Sequence, residues 1–110
     1  MATFTLPDDL AKRVEPFGRW LPVVLEVSLL GLQTSASRTA GEIIAFLSTG
    51  PSPDEVAAYS ASERSQERMS RLLALNQAGL LGTAEAEELD ELLRLENLLI
   101  GLKAELTERT

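Results

Sequence analysis

Glu85, Glu87, Glu88, Asp90 and Glu91 place five carboxylates within seven residues, the densest cluster of potentially reactive side chains in the chain. Carboxylates this close can share protons in acid–base catalysis or hold Mg2+. Both chemistries need neighbours that the sequence does not supply. The chain has no histidine and no cysteine, which removes imidazole bases, thiolate nucleophiles and the usual zinc ligands together. No glycine-rich phosphate loop and no EF-hand spacing surrounds the cluster. Acids at a helix start are stabilised by the positive end of its dipole, and that is the simpler reading of these five. A second pattern, Arg64, Arg68 and Arg71, has the i, i+4, i+7 spacing of one helix face and suggests phosphate contacts. Glu63 and Glu67 stand beside it, so a self-neutralised surface is expected. The residues point to a non-catalytic protein with no cofactor and no metal.

The elements that position these side chains read as helices. Gly82-Thr83 opens the last one, with Thr83 as its cap. Within it Leu92, Leu95, Leu99, Leu102 and Leu106 repeat at 3-4-3-4 spacing, a coiled-coil-like seam. Leu89, Leu93 and Ile100 form a second stripe. One antiparallel neighbour, the helix carrying Met69, Leu72 and Leu73, is too narrow to cover both. The seam therefore demands a central place in the fold or a partner chain. As a partner-binding surface it would comprise Leu92, Leu95, Leu99, Leu102 and Leu106, with Glu85, Glu88 and Glu91 as an acidic rim suited to a basic protein.

Upstream, Ser52-Pro53-Asp54-Glu55 has the pattern of a capping box with proline at the first helical position. Ser60-Ala61-Ser62-Glu63 offers a second, opening a helix that runs to about Ala78, with Gly79 as its C-terminal cap. Gly50-Pro51 ends a short helix around Ile43, Ile44 and Leu47. The stretch TSASRTAG before it, residues 34–41, is Ser/Thr-rich and supplies the linker expected at residues 35–41. Trp20 to Gln33 is apolar almost all round, and a helix of that kind must be covered on most sides. Pro16-Phe17-Gly18 separates it from a shorter helix that begins at Asp8. The first residues, Ala2 to Leu6, alternate like a β-strand, and an extended segment needs a second strand for its backbone groups. No other segment supplies one. Pairing with a second copy about a two-fold axis is expected, with Thr3, Phe4, Thr5, Leu6, Trp20 and Leu25 in a homodimer interface.

Net charge is −7, and residues 61–110 hold ten of the seventeen acids against six basic residues. This distribution favours a basic partner over a phosphate backbone. Only Lys12, Arg13 and Arg19 lie near the strand, so DNA binding is not expected. The longest apolar run, Leu21 to Leu32, contains Glu26 and falls short of the ~20 residues of a membrane span. No signal-peptide pattern is present, and a cytoplasmic protein is expected. The whole reads as mainly α: a short N-terminal strand and about six helices, ending in a long antiparallel helical hairpin. Residues 1–34 form a strand-helix-helix dimerisation module, and residues 42–110 a helical partner-binding region.

Two resemblances extend this reading. The order strand, helix from Asp8, turn at Gly18 and helix from Trp20 resembles a ribbon-helix-helix module, although the polar cap usual at its second helix is replaced by Arg19-Trp20-Leu21-Pro22. Over residues 42–104 the pattern is more specific. Phe46-Leu47, Gly50-Pro51 and Pro53-Asp54-Glu55 make one turn signature; Arg71-Leu72-Leu73, Asn76 and Gly79 follow. Glu88-Leu89-Asp90-Glu91 and Leu95-Glu96 through Lys103-Ala104 complete it. It resembles a family of small acidic bacterial proteins, common in cyanobacteria, similar to the antitoxin partners of PIN- or HNH-type nucleases. Val56 stands where a further acid is typical, and Ala84 where proline is frequent. The resemblance implies an antitoxin-like inhibitor bound to a basic nuclease toxin. The alternatives are a self-assembling helical adaptor and, third, a ribbon-helix-helix transcriptional regulator.

Overall fold

The computed structural model describes residues 7–108. The fold is mainly helical, as the periodicity predicts, with no strand among the described residues. The expected strand at residues 2–6 lies outside them. In chain order the helices are α1 (Asp8–Val14), a 3-10 segment (Glu15–Trp20), α2 (Leu21–Leu29), α3 (Ala36–Leu47), α4 (Pro53–Ala58), α5 (Glu63–Gln77) and α6 (Thr83–Glu108).

Local chemistry explains most boundaries. Gly18, at φ 54° and ψ −125°, kinks the 3-10 segment in a conformation that residues with a Cβ avoid. Pro22 sits in the first turn of α2, where its missing N–H costs nothing. At α4 the Ser52 side chain accepts from Glu55 N–H and the Glu55 carboxylate accepts from Ser52 N–H, a complete capping box. The cap of α5 is Ser62, which accepts from Ser65 N–H, two residues beyond the expected Ser60. α5 ends as expected at Gly79 (φ 71°), where Leu80 N–H bonds Leu75 C=O and Gly79 N–H bonds Asn76 C=O, the Schellman pattern. At the start of α6 the Glu85 carboxylate accepts from Gly82 N–H at 3.1 Å. Gly82, rather than Thr83, takes the capping position.

The expected linker is a helix. Residues 36–41 form the first half of α3, which buries Ala36, Ala40, Ile43 and Leu47 along one stripe. Its start is secured by Thr34, whose Oγ1 accepts from Ala36 N–H at 3.1 Å and whose C=O accepts from Ser37 N–H at 3.0 Å. α2 in turn stops at Leu29, short of Gln33, and Gly31 (φ 63°) turns the chain toward α3.

α6 is the spine on which the other helices lie. Leu95 and Leu106 join Trp20, Val24, Val27, Ile43, Leu47 and Val56 in one apolar cluster. Leu89 and Leu92 pack with Ala36 and Leu72 in a second. Ile43, Leu47, Leu72 and Leu95 are fully enclosed, each contributing on the order of 1.5–3 kcal/mol. Trp20 is 3% exposed, and its indole N–H donates to Pro51 C=O at 2.7 Å. That bond ties the turn before α2 to the turn before α4.

Candidate functional site

The leucine seam is core, not surface. Leu92, Leu95 and Leu106 are buried in this chain, and Leu99 and Leu102 are half-buried against the cluster that holds Leu95 and Leu106. α3, α4 and α5 together cover what α5 alone could not, and Val24 and Val27 of α2 share the cluster that encloses Leu95 and Leu106. The expected acidic rim is likewise part of the scaffold. The Glu88 carboxylate, 7% exposed, takes a bidentate fork from Arg68: Nε to Oε2 at 2.8 Å and Nη2 to Oε1 at 2.9 Å. Hydrogen bonding from Arg68 holds the Glu88 carboxyl below its usual pKa against the opposing effect of burial. Glu91, also 7% exposed, accepts from the N–H groups of Gln33 and Thr34 and from Thr34 Oγ1 at 2.7 Å. Burial pushes its pKa up, and the hydrogen bonds from Thr34 and Gln33, with the charge of Arg94, pull it below the usual value. Glu85 spends its carboxylate on Gly82 N–H.

The expected dimer residues divide in the same way. Trp20 is enclosed by its own chain and cannot anchor a partner. Leu25 is 53% exposed, and Leu29, one turn later on the same face, is 84% exposed. Thr3, Phe4, Thr5 and Leu6 lie outside the described residues. α1 buries none of its residues.

What α6 does present to solvent is its second stripe. Leu89 is buried, whereas Leu93 and Ile100 are exposed, Ile100 by 57%. Ile100 stands on the edge of a groove of about 400 Å3 between α5, α6 and the segment that joins α4 to α5. Ile43, Leu92 and Leu95 line it with Met69, Leu99 and Tyr59; Gln66, Glu96 and Lys103 supply its polar groups. Tyr59 is held in place by stacking on Phe46, with ring centroids 4.5 Å apart, and by Lys103, whose ammonium donates to the Tyr59 carbonyl. Burial, followed by the charge of Glu42, raises the Tyr59 hydroxyl pKa.

The hydroxyls nearby serve as fasteners. Ser62 and Ser65 Oγ both donate to the Glu42 carboxylate, at 2.9 and 3.1 Å, fixing the start of α5 to α3. The chemistry open to the groove is that of apolar contact with a polar edge, the composition of a docking surface. Its signal in the sequence was divided, since Leu92, Leu95 and Leu99 belong to the seam and Ile100 to the second stripe, and nothing in the spacing said which side chains would be covered. Among the described residues there is no group of three or more acidic side chains arranged to hold a metal ion, and no helix is long and apolar enough to cross a membrane. Comparison with protein-family models, with curated proteins and with solved structures returned no match.

Proposed function

We propose that this chain is a cytoplasmic, non-catalytic protein-binding module of antitoxin type, which docks a basic nuclease on the exposed stripe and groove of α6. The observation that carries this reading is Ile100, an isoleucine 57% exposed among the residues that line an apolar groove. An exposed apolar side chain continuous with an apolar groove makes a contiguous patch, the kind of surface that marks an interaction site, unlike a singly scattered surface leucine. Charge selects the class of partner. The net charge is −7, so long-range attraction favours a basic protein and speeds its encounter, while Glu96 and Lys103 balance one another among the groove's lining residues. The likeness of residues 42–104 to antitoxin-type proteins supports a nuclease as that partner.

The test is binding of the purified partner to Ile100→Asp. The variant is expected to keep its helicity and lose most of its affinity; a folded variant that binds normally would contradict the reading. A second reading, self-association, is favoured by Leu25 and Leu29 on the outer face of α2 and by α1, which buries nothing in its own chain. It is compatible with a homodimer built by residues 1–34, the N-terminal strands pairing across the two-fold axis. Binding to DNA is not part of the proposal.

A further inference from the structure

A smaller cavity, about 270 Å3, opens between the first turn of α3, the N-terminal half of α5 and α6. Arg38, Arg64, Arg68, Ser35 and Glu88 are among the residues that line it, and Glu88 is its one acidic residue. Three basic residues against one acidic residue reverse the balance of a chain whose net charge is −7.

The three arginines are not equivalent. Arg68 is committed to Glu88 by its two-pronged contact. Arg64 reaches Glu42 only at 3.6 Å, with its side chain 60% exposed, a separation and exposure that leave little net attraction. Arg38 has no ion-pair partner among the described residues. The hydroxyls differ too. Ser65 Oγ gives its proton to Glu42, so in its 2.9 Å contact with Thr39 the proton comes from Thr39 Oγ1. Ser35, just before α3, makes no side-chain capping bond and keeps its hydroxyl available.

We propose that this cavity is a binding subsite for a phosphate dianion, gripped by Arg38 and Arg64 with Ser35 as a further donor. A guanidinium presents paired donors that match phosphate oxygens. The Glu88 carboxylate already occupies one guanidinium, which leaves two with little compensation. A phosphate monoester, with a charge of about −1.5 to −2 at neutral pH, matches two such groups better than a second carboxylate does. The phosphodiesters of nucleic acid carry a single charge each and must approach through the repulsion of an acidic protein. The source can be free phosphate or a phosphorylated side chain on a protein.

Calorimetric titration of the full chain at constant ionic strength tests this. The probes are inorganic phosphate, a phosphoserine peptide and its unphosphorylated twin, and a duplex oligonucleotide. The proteins are wild type, Arg38→Gln, Arg64→Gln and Arg71→Gln, the last removing an exposed arginine outside the cavity. Saturable phosphate binding that weakens about tenfold in Arg38→Gln and in Arg64→Gln, and is unchanged in Arg71→Gln, is expected. A phosphopeptide that binds more tightly than phosphate identifies a modified protein as the source; equal binding identifies the free anion. Three results overturn the proposal: no saturable binding of either phosphate probe, an equal loss in Arg71→Gln, or oligonucleotide binding through Arg38 and Arg64 without phosphate binding. Circular dichroism establishes that each variant remains helical, so a loss cannot be assigned to unfolding.

Discussion

Glu91 closes the corner between α2 and α3 by accepting every hydrogen bond that the Gln33 and Thr34 N–H groups and the Thr34 hydroxyl offer it. Glu91→Gln replaces one acceptor oxygen with an NH2 group that faces donors. It is expected to cost about 1–3 kcal/mol, read as a shift in urea midpoint. Glu88→Gln should cost less, about 1 kcal/mol, because Arg68 is 40% exposed and water replaces much of what is lost. Both carboxyls are held below the usual value of 4.5. A lowered folded-state pKa contributes stability above that value, and the contribution disappears as pH falls through the folded-state pKa. Stability should therefore drop with acidification below about pH 4.5, and Glu88→Gln with Glu91→Gln should flatten the drop. An acid limb unchanged in the double variant would show that neither carboxylate contributes. None of these partnerships was legible in the sequence. The helix-start pattern explains where the acids stand, but Arg68, Gln33 and Thr34 are brought to them only by packing.

At the scale of elements, α6 separates two kinds of leucine that its sequence does not distinguish. Leu95→Ala removes a fully enclosed side chain and should cost about 2–5 kcal/mol. Ile100→Ala, at an exposed position, should change stability by less than about 0.5 kcal/mol. Thermal unfolding of the two variants checks the contrast, and equal losses would place Ile100 in the core. The helical character and most helix ends could be read from caps and periodicity: the Ser52–Glu55 box, Gly79 and Pro22 all act as their types predict. α3 was missed because serine, threonine and glycine suggest a loop. Its signal was the spacing of Ala36, Ala40, Ile43 and Leu47, muted because alanine registers weakly as apolar although its small size lets α3 pack closely. The seam of α6 was found correctly as an apolar face, yet periodicity cannot say whether another chain or the same chain covers it. The distant contacts of Trp20, Val56 and Ala36 decided that.

The described residues hold one long helix, covered along most of its seam and exposed on its second stripe at Leu93 and Ile100, with α1 and the outer face of α2 also exposed. Self-association through α2 predicts a light-scattering mass near twice the 11.9 kDa chain mass, reduced by Leu29→Asp with helicity retained; a wild-type monomer at tens of micromolar would remove that reading. Docking of a partner is a separate claim, carried by Ile100 and the groove. Its direct measurement begins with capture of the tagged chain from its host, identification of the bound protein by mass, and purification of that protein. Affinity and nuclease activity are then measured against wild type, Ile100→Asp and Leu29→Asp at low and physiological salt. The expected partner is a basic nuclease that loses activity when bound, with affinity at least about tenfold weaker for Ile100→Asp, little changed for Leu29→Asp, and slower association as salt rises. A captured nuclease that binds folded Ile100→Asp as tightly as wild type, or that remains fully active in the complex, would contradict the proposal.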